Sequence, residues 1–326
     1  MSGNKIKIVY LLAASHSGST LTAMLLGAHP SLTSVGELNA FRLGDPKNYL
    51  CSCMQKISDC DFWSCISQTM ASHGENFSIL DAKTNLREGT NTYESRLLKP
   101  LVRERKLEFL RDAALALSPS WRGKLSNFQR RNYLLIRSIL EHNKTEFIVD
   151  SSKIGIRLKY LLRNPKFDVK VIWQVRDGRG VTLAYYDPSK FADSKDEKLR
   201  GGGVGKTFDV SREIGIGAHE WIRCNEEAIN VLSTMDERNW LKVHYEDICE
   251  KTEETLDVIC DFLEVDSNKK TLEFRSKAHH MVGNGMRLDS SSVIEHDERW
   301  RDVFTDSQLM KFEEVAGDFN RMLMKR

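Results

Sequence analysis

Residues 5–26 read KIKIVYLLAASHSGSTLTAMLL, and this stretch decides the fold. Its first part alternates and then runs apolar, the pattern of a strand buried on both faces. The small residues Ser15-His16-Ser17-Gly18-Ser19 form a turn, and Thr20 to Leu26 continue as a helix. His29-Pro30 closes that helix, because a residue before proline disfavours the α region. Strand, turn and helix in this order make an anion site: successive backbone N–H groups point into the turn and the helix dipole adds positive potential. The same letters also suit an ordinary capped turn, Ser being a good N-cap.

Working outward, residues 31–37 (SLTSVGE) read as a short second strand. Strands are expected at 146–150, 169–175 and 240–244, with helices at about 130–142, 153–163, 178–186, 213–233, 251–263 and 306–323. Strands alternating with helices predict an α/β fold, a P-loop-like doubly wound parallel sheet flanked by helices. Ligands in such sheets lie beyond the carboxyl ends of the strands. The loops after Ala14 and Val175 should therefore share one rim. Residues 45–127 are irregular and then polar and helical, an expected cap inserted into a single domain spanning 1–326. No repeat or low-complexity segment interrupts this order.

The chain of 326 residues carries 48 Lys+Arg against 46 Asp+Glu, a net charge of +2. Whole-molecule attraction to nucleic acid or an anionic membrane is thereby excluded as the basis of function. The longest apolar run, Ile8 to Ala14, falls far short of the roughly 20 residues that span a bilayer. It is also no signal peptide, so a cytoplasmic location is expected. Seven cysteines, unevenly spread, do not form a secreted disulfide framework. Cys51, Cys53, Cys60 and Cys65 cluster, and zinc, disulfides or free thiols all remain open for them. Nothing in the sequence names an oligomeric state.

Two further loops compete for phosphate. Gly201-Gly202-Gly203-Val204-Gly205-Lys206-Thr207 imitates a P-loop by its letters, but the charged residues before it cannot form a buried strand, so it reads as a basic lid loop. Arg176-Asp177-Gly178-Arg179 follows the strongest apolar strand, where a planar guanidinium suits a second phosphate; a surface Arg–Asp pair would read the same way. In the first loop Gly18 is followed by Ser19-Thr20, where a Walker A motif has Lys, and Ala13 stands at the leading glycine. A nucleoside triphosphate would lack its usual cation there.

Three blocks in order resemble the sulfotransferases that use 3′-phosphoadenosine 5′-phosphosulfate (PAPS), closer to the tyrosylprotein and bacterial branches than to the cytosolic one. They are SHSGSTLTAMLLGAHPSLTSVGE, which looks like the 5′-phosphosulfate loop and helix, VIWQVRDGRGVTLAYY at 171–186, and a C-terminal block with Gly283-Asn284, Met286-Arg287 and Glu298-Arg299-Trp300-Arg301. Residues 45–127 are not covered. The resemblance implies a PAPS donor held by Ser15, His16, Ser17, Gly18, Ser19 and Thr20 at one end and by Arg176, Arg179 and Arg287 at the other. The two positive clusters would stand about an adenosine apart. It also implies sulfuryl transfer to a hydroxyl of a small molecule, lipid or glycan, with no metal required for the chemistry.

Glu37, in a Gly-Glu context like that of the tyrosylprotein branch, is the candidate base; His16 competes, and Lys153 would stabilise the leaving phosphate. A solvated Glu37 and a plain Ser152 N-cap before a helix at 153–163 are the structural alternatives. Two departures stand out. His16 occupies a position usually Lys or Arg, where His⁺ would serve or titrate near pH 6–7. Ala184 stands where the family has Ser, which removes one phosphate hydrogen bond. A Mg-ATP kinase or ATPase, or a non-catalytic nucleotide-binding protein, are the competing readings.

Overall fold

A computed structural model describes residues 5–39, 48–87, 89–98, 105–187, 213–277 and 279–325. The Gly201–Thr207 loop lies outside them. Five parallel strands form one sheet in the order β2-β3-β1-β4-β5: β1 Ile6–Ala13, β2 Leu32–Ser34, β3 Phe147–Lys153, β4 Phe167–Val175 and β5 Trp240–His244. The chain crosses from one side of β1 to the other between β3 and β4. That reversal creates a crevice at the carboxyl end of the central strand, where doubly wound sheets bind ligands.

The alternation in β1 sorts its side chains between two apolar layers. Val9 and Leu11 pack with Leu21, Met24 and Leu25 of α1 (Ser19–Ala28) and with Leu256 and Ile259. Ile8, Tyr10 and Leu12 pack on the opposite face. There they meet α5 (Pro119–Asn143), α6 (Gly155–Leu161), α7 (Gly178–Tyr186), α8 (Ile214–Leu232) and α12 (Asp306–Met324). The first face is completed by α9 (Tyr245–Glu250) and α10 (Thr252–Leu263). α11 (Trp300–Val303) precedes α12. Among the described residues, no helix is long and apolar enough to cross a membrane.

The expected cap contains α2 (Asp61–Ser72), α3 (Thr92–Leu97) and α4 (Arg105–Ala116), and then runs into α5. Its expected end at residue 127 falls inside α5, a continuous helix that the sequence reading began only at about 130. Ser118 starts it by accepting from Trp121 N, with Pro119 in the first turn. Tyr49, Trp63 and Trp121 belong to the same apolar cluster as Ile8 and Tyr10, so this segment shares the sheet's core.

Ser152 does not cap a helix. Strand β3 runs on through Lys153, and Ser152 N donates to Asp150 Oδ1 at 3.0 Å while its Oγ accepts from Asn39 N at 2.9 Å. Asp150 is buried and ion-paired with Arg157 at 3.0 Å. Arg157 also donates to Asn132 Oδ1 and Thr84 O. Removing one partner of such a buried pair costs roughly 3–5 kcal/mol. The network therefore holds the end of β3 rigid.

Candidate functional site

The turn after β1 ends at an uncapped helix N-terminus. His16 at φ 63° and Gly18 at φ 80° both lie in the left-handed region. Gly18 is the N-cap of α1 and no side chain caps the helix, so the first N–H groups face outward without an internal acceptor. A Cβ at Gly18 would stand 2.3 Å from Tyr245 Cδ2, so the ring of Tyr245 closes the floor of the turn. Gln174 of β4 braces the loop from below: its Nε2 donates to Ser17 O at 2.5 Å and its Oε1 accepts from Thr22 Oγ1 at 2.8 Å. Ser17 is buried and its Oγ finds no hydrogen-bond partner among the described residues.

A cavity of about 610 Å³ opens over this turn. Ser15, His16, Gly18, Ser19 and Thr20 line one side, Glu37, Lys153 and Arg176 another. Residues 284–299 supply the far wall through Asn284, Met286, His296, Asp297 and Arg299. The loops after Ala14 and Val175 thus share one rim, as the parallel topology requires. They stand closer together than an adenosine. Arg176 Nη1 donates to His16 O at 2.8 Å, and its Nη2 donates to Asp297 O at 2.7 Å and to Oδ2 at 3.0 Å. The guanidinium lies 4.4 Å from the centroid of the Tyr245 ring. Burial raises the Asp297 carboxyl, but the bonds from Arg299 and Arg176 outweigh it and hold Asp297 well below the usual carboxylate range.

His16 is not a cationic clamp. Burial first, then the charges of Lys153 and Arg176, depress its pKa to about 4, so it is neutral near pH 7. Its ring meets Tyr185 edge-on at 5.4 Å.

Glu37 and Lys153 meet as an ion pair, Nζ to Oε1, at the mouth of the cavity. Backbone geometry puts them there. Gly36 has φ 83°, and a Cβ would lie 2.0 Å from Val282 O, so the chain passes that close only as glycine. Glu37 N donates to Val282 O at 3.3 Å and Ser151 N to Gly36 O at 3.1 Å. Lys153 is itself left-handed, φ 67°, which turns its side chain back over the sheet edge. A second cavity of about 260 Å³ lies behind the same pair, sharing Ser15, Glu37 and Lys153 and lined further by Asn85, Arg87 and Arg223. Glu37 and Lys153 line both chambers.

Arg179 and Arg287 do not reach this cavity. Arg179 Nε donates to Asp177 Oδ1 at 2.9 Å and its guanidinium stacks 3.9 Å from the Trp300 ring centroid. Arg287 is buried and spent on backbone carbonyls: Nε on Met281 O at 3.0 Å, Nη1 on Gly283 O and Asn284 O at 2.8 and 3.1 Å, and Nη2 on Leu50 O. It buckles the C-terminal segment to the start of the expected cap, over the ring of Tyr49. Ala184 is buried on α7 and contributes no polar group. His29 is helix-end structure, with Nε2 at 2.9 Å from Asp266 O and Nδ1 accepting from Ser31 N at 3.1 Å.

The sequence reading missed Gln174, Tyr245 and Asp297. Each is an unremarkable residue in its own segment and enters the site only because β4, β5 and the 284–299 segment converge. Cys65 does not join the other three cysteines of its segment; its Sγ lies 3.3 Å from His142 Nδ1.

No family model matches the chain, and no curated protein matches it either. Its fold is similar to those of several solved sulfotransferases. A mouse sulfotransferase complexed with PAP is 9% identical, covering 98% of this chain and 88% of that one at a TM-score of 0.46. The sulfotransferase domain of an olefin synthase from Synechococcus PCC 7002 is 17% identical, covering 97% and 95%, with a TM-score of 0.46. The sulfotransferase domain from the curacin biosynthetic pathway is 18% identical, covering 97% of this chain and 98% of that one at a TM-score of 0.48.

Proposed function

We infer that the protein is a PAPS-dependent sulfotransferase acting on a hydroxyl of a small acceptor. One observation carries the reading: an uncapped helix N-terminus, a buried arginine and a Glu–Lys pair line one cavity, and a second chamber opens behind that pair. The donor set fits a phosphosulfate. The turn offers backbone N–H groups with the hydroxyls of Ser15, Ser19 and Thr20, and it lacks the lysine that a triphosphate needs.

In this reading the donor lies in the larger chamber with its 5′ end on the turn, and the acceptor in the smaller one. Glu37 takes the hydroxyl proton as the acceptor oxygen bonds to sulfur, the bond from sulfur to the bridging oxygen breaks, and adenosine 3′,5′-bisphosphate leaves. Lys153, released from Glu37, follows the negative charge that develops on the bridging oxygen. Arg176 orients the loop through His16 and presents the cationic edge of the donor site. The smaller chamber mixes Asn85, Arg87 and Arg223 with Leu86, Ile154 and Ile156, a lining suited to an acceptor with both polar and apolar parts. No step calls for a metal, and a cytoplasmic location belongs to the same reading.

The test is thermal stabilisation and transfer. Adenosine 3′,5′-bisphosphate without Mg²⁺ should raise the melting temperature, and labelled sulfate should pass from PAPS to a member of a hydroxyl-compound panel. Stabilisation only by ATP with Mg²⁺ would replace this reading with a kinase or ATPase. Bisphosphate binding with no transfer to any acceptor would leave a nucleotide-binding protein without catalysis.

A further inference from the structure

Cys51, Cys53, Cys60 and His280 converge outside the large cavity, none of the four being among its lining residues. Their ligand atoms all lie within 4.8 Å of one another. Cys53 Sγ and Cys60 Sγ are 3.7 Å apart, and His280 Nδ1 lies 3.3 Å from Cys60 Sγ and 3.9 Å from Cys51 Sγ. A tetrahedral Zn²⁺ with Zn–S of about 2.3 Å and Zn–N of about 2.0 Å demands edges of about 3.8 Å between sulfurs and about 3.5 Å from sulfur to nitrogen. The Cys53–Cys60 sulfur separation of 3.7 Å matches the first edge, and the two sulfur–nitrogen separations of 3.3 and 3.9 Å lie either side of the second.

The surroundings are built as ligand supports. Backbone hydrogen bonds from Cys53, Gln55 and Trp63 reach the sulfurs of Cys51, Cys53 and Cys60 respectively and fix where each sulfur lies. Cys51 and Cys53 sit on a tight loop closed by Cys51 N to Gln55 O at 2.8 Å and Met54 N to Cys51 O at 2.9 Å, with Met54 at φ 68°. Cys60 stands at the N-terminal end of α2, on the positive side of its dipole. His280 has φ 51°, its ring is stacked on Phe62 at 4.6 Å and 6°, and its carbonyl accepts from Trp63 Nε1 at 3.1 Å. Those restraints aim Nδ1 at the sulfurs.

We propose that Cys51, Cys53, Cys60 and His280 form a structural Zn²⁺ site that staples the 49–60 segment to the 279–287 segment. Three thiol protons leave to solvent as the metal binds. A closed four-ligand set leaves no open position for catalysis. Its place in the fold explains the need. Between Tyr49 and Cys60 the chain has only an isolated Leu50–Lys56 bridge and one 3₁₀ turn, too little regular structure to hold itself. Opposite it runs the strand-like segment whose Val282 pairs with Gly36 beside Glu37. The proposal does not rest on the sulfotransferase reading, since a metal could hold these segments whatever the cavity binds.

The 326-residue chain, purified under reductant and supplied with zinc, should carry one zinc per chain by elemental analysis. Cobalt substitution should give the thiolate charge-transfer and tetrahedral d–d bands in the wild-type protein, which needs no variant to fold. Cys53→Ser and His280→Ala should each lose the metal, and Cys65→Ser should keep it. Wild-type protein that takes up no zinc or cobalt overturns the proposal, as does an oxidised Cys53–Cys60 pair with no metal. Loss of metal in Cys65→Ser equal to that in Cys53→Ser overturns the ligand set. Bisphosphate binding, measured separately, tests the donor site and leaves these outcomes unaffected.

Discussion

Arg176 reaches back across the carboxyl edge of the sheet and donates to the carbonyl oxygen of His16 at 2.8 Å. One guanidinium therefore shapes the anion turn and anchors Asp297 of the far wall. Arg176→Ala would leave Asp297 partly buried with one fewer cation and release His16 O. We expect a stability loss of about 2–4 kcal/mol and bisphosphate affinity lower by at least about tenfold. Calorimetric titration without Mg²⁺, beside a melting curve, checks both; unchanged affinity would remove Arg176 from the donor site.

Glu37→Gln keeps the shape of the side chain and removes its basicity. Bisphosphate affinity should stay within about twofold, and sulfate transfer should fall by roughly 10²–10⁴. A variant with wild-type turnover would mean that another group takes the proton.

Gly18→Ala forces a Cβ into the ring of Tyr245 at a backbone angle of φ 80°. Strain of this kind costs about 1–3 kcal/mol, and the displaced ring should also weaken nucleotide binding. Ala at Gly123, where a Cβ would meet nothing within 4 Å, serves as the control for a glycine change as such. Equal melting temperatures for the two variants would contradict the packing described.

The depressed pKa of His16 makes stability depend on pH in a defined window. The unfolded chain takes up a proton near pH 6.5 and the folded one only near 4, so stability is full above about 6.5 and is lost as pH falls towards 4. His16→Gln should flatten that limb by up to about 3 kcal/mol. Chemical denaturation at pH 7.0, 5.5 and 4.5 reads it out; parallel curves for wild type and variant would refute the assignment.

Arg287 separates two roles cleanly. As a buckle on backbone carbonyls, its replacement by Met should cost about 2–4 kcal/mol of stability while bisphosphate affinity shifts less than in Arg176→Ala. An affinity loss equal to that of Arg176→Ala, at little cost in stability, would restore it as a phosphate clamp.

The sequence by itself determined the parallel α/β order, because each apolar run and each helix period depends on neighbours in the chain. Strand β5 and helix α7 begin and end where the pattern places them, and the turn at Gly18 is legible from Ser, Gly and Thr against an apolar strand. Even Glu37 and Lys153 could be nominated, since each stands at or just beyond the carboxyl end of a strand. What only the tertiary structure decided is how long side chains are spent. Arg176, Arg179 and Arg287 are alike as letters, yet one lines the cavity, one stacks on Trp300 and one is consumed by carbonyls. The same holds for the thiols, where His280 replaces Cys65 beside Cys51, Cys53 and Cys60. Local pattern fixes backbone conformation, but the partners of a charge or a thiol are set by which distant segments pack against it.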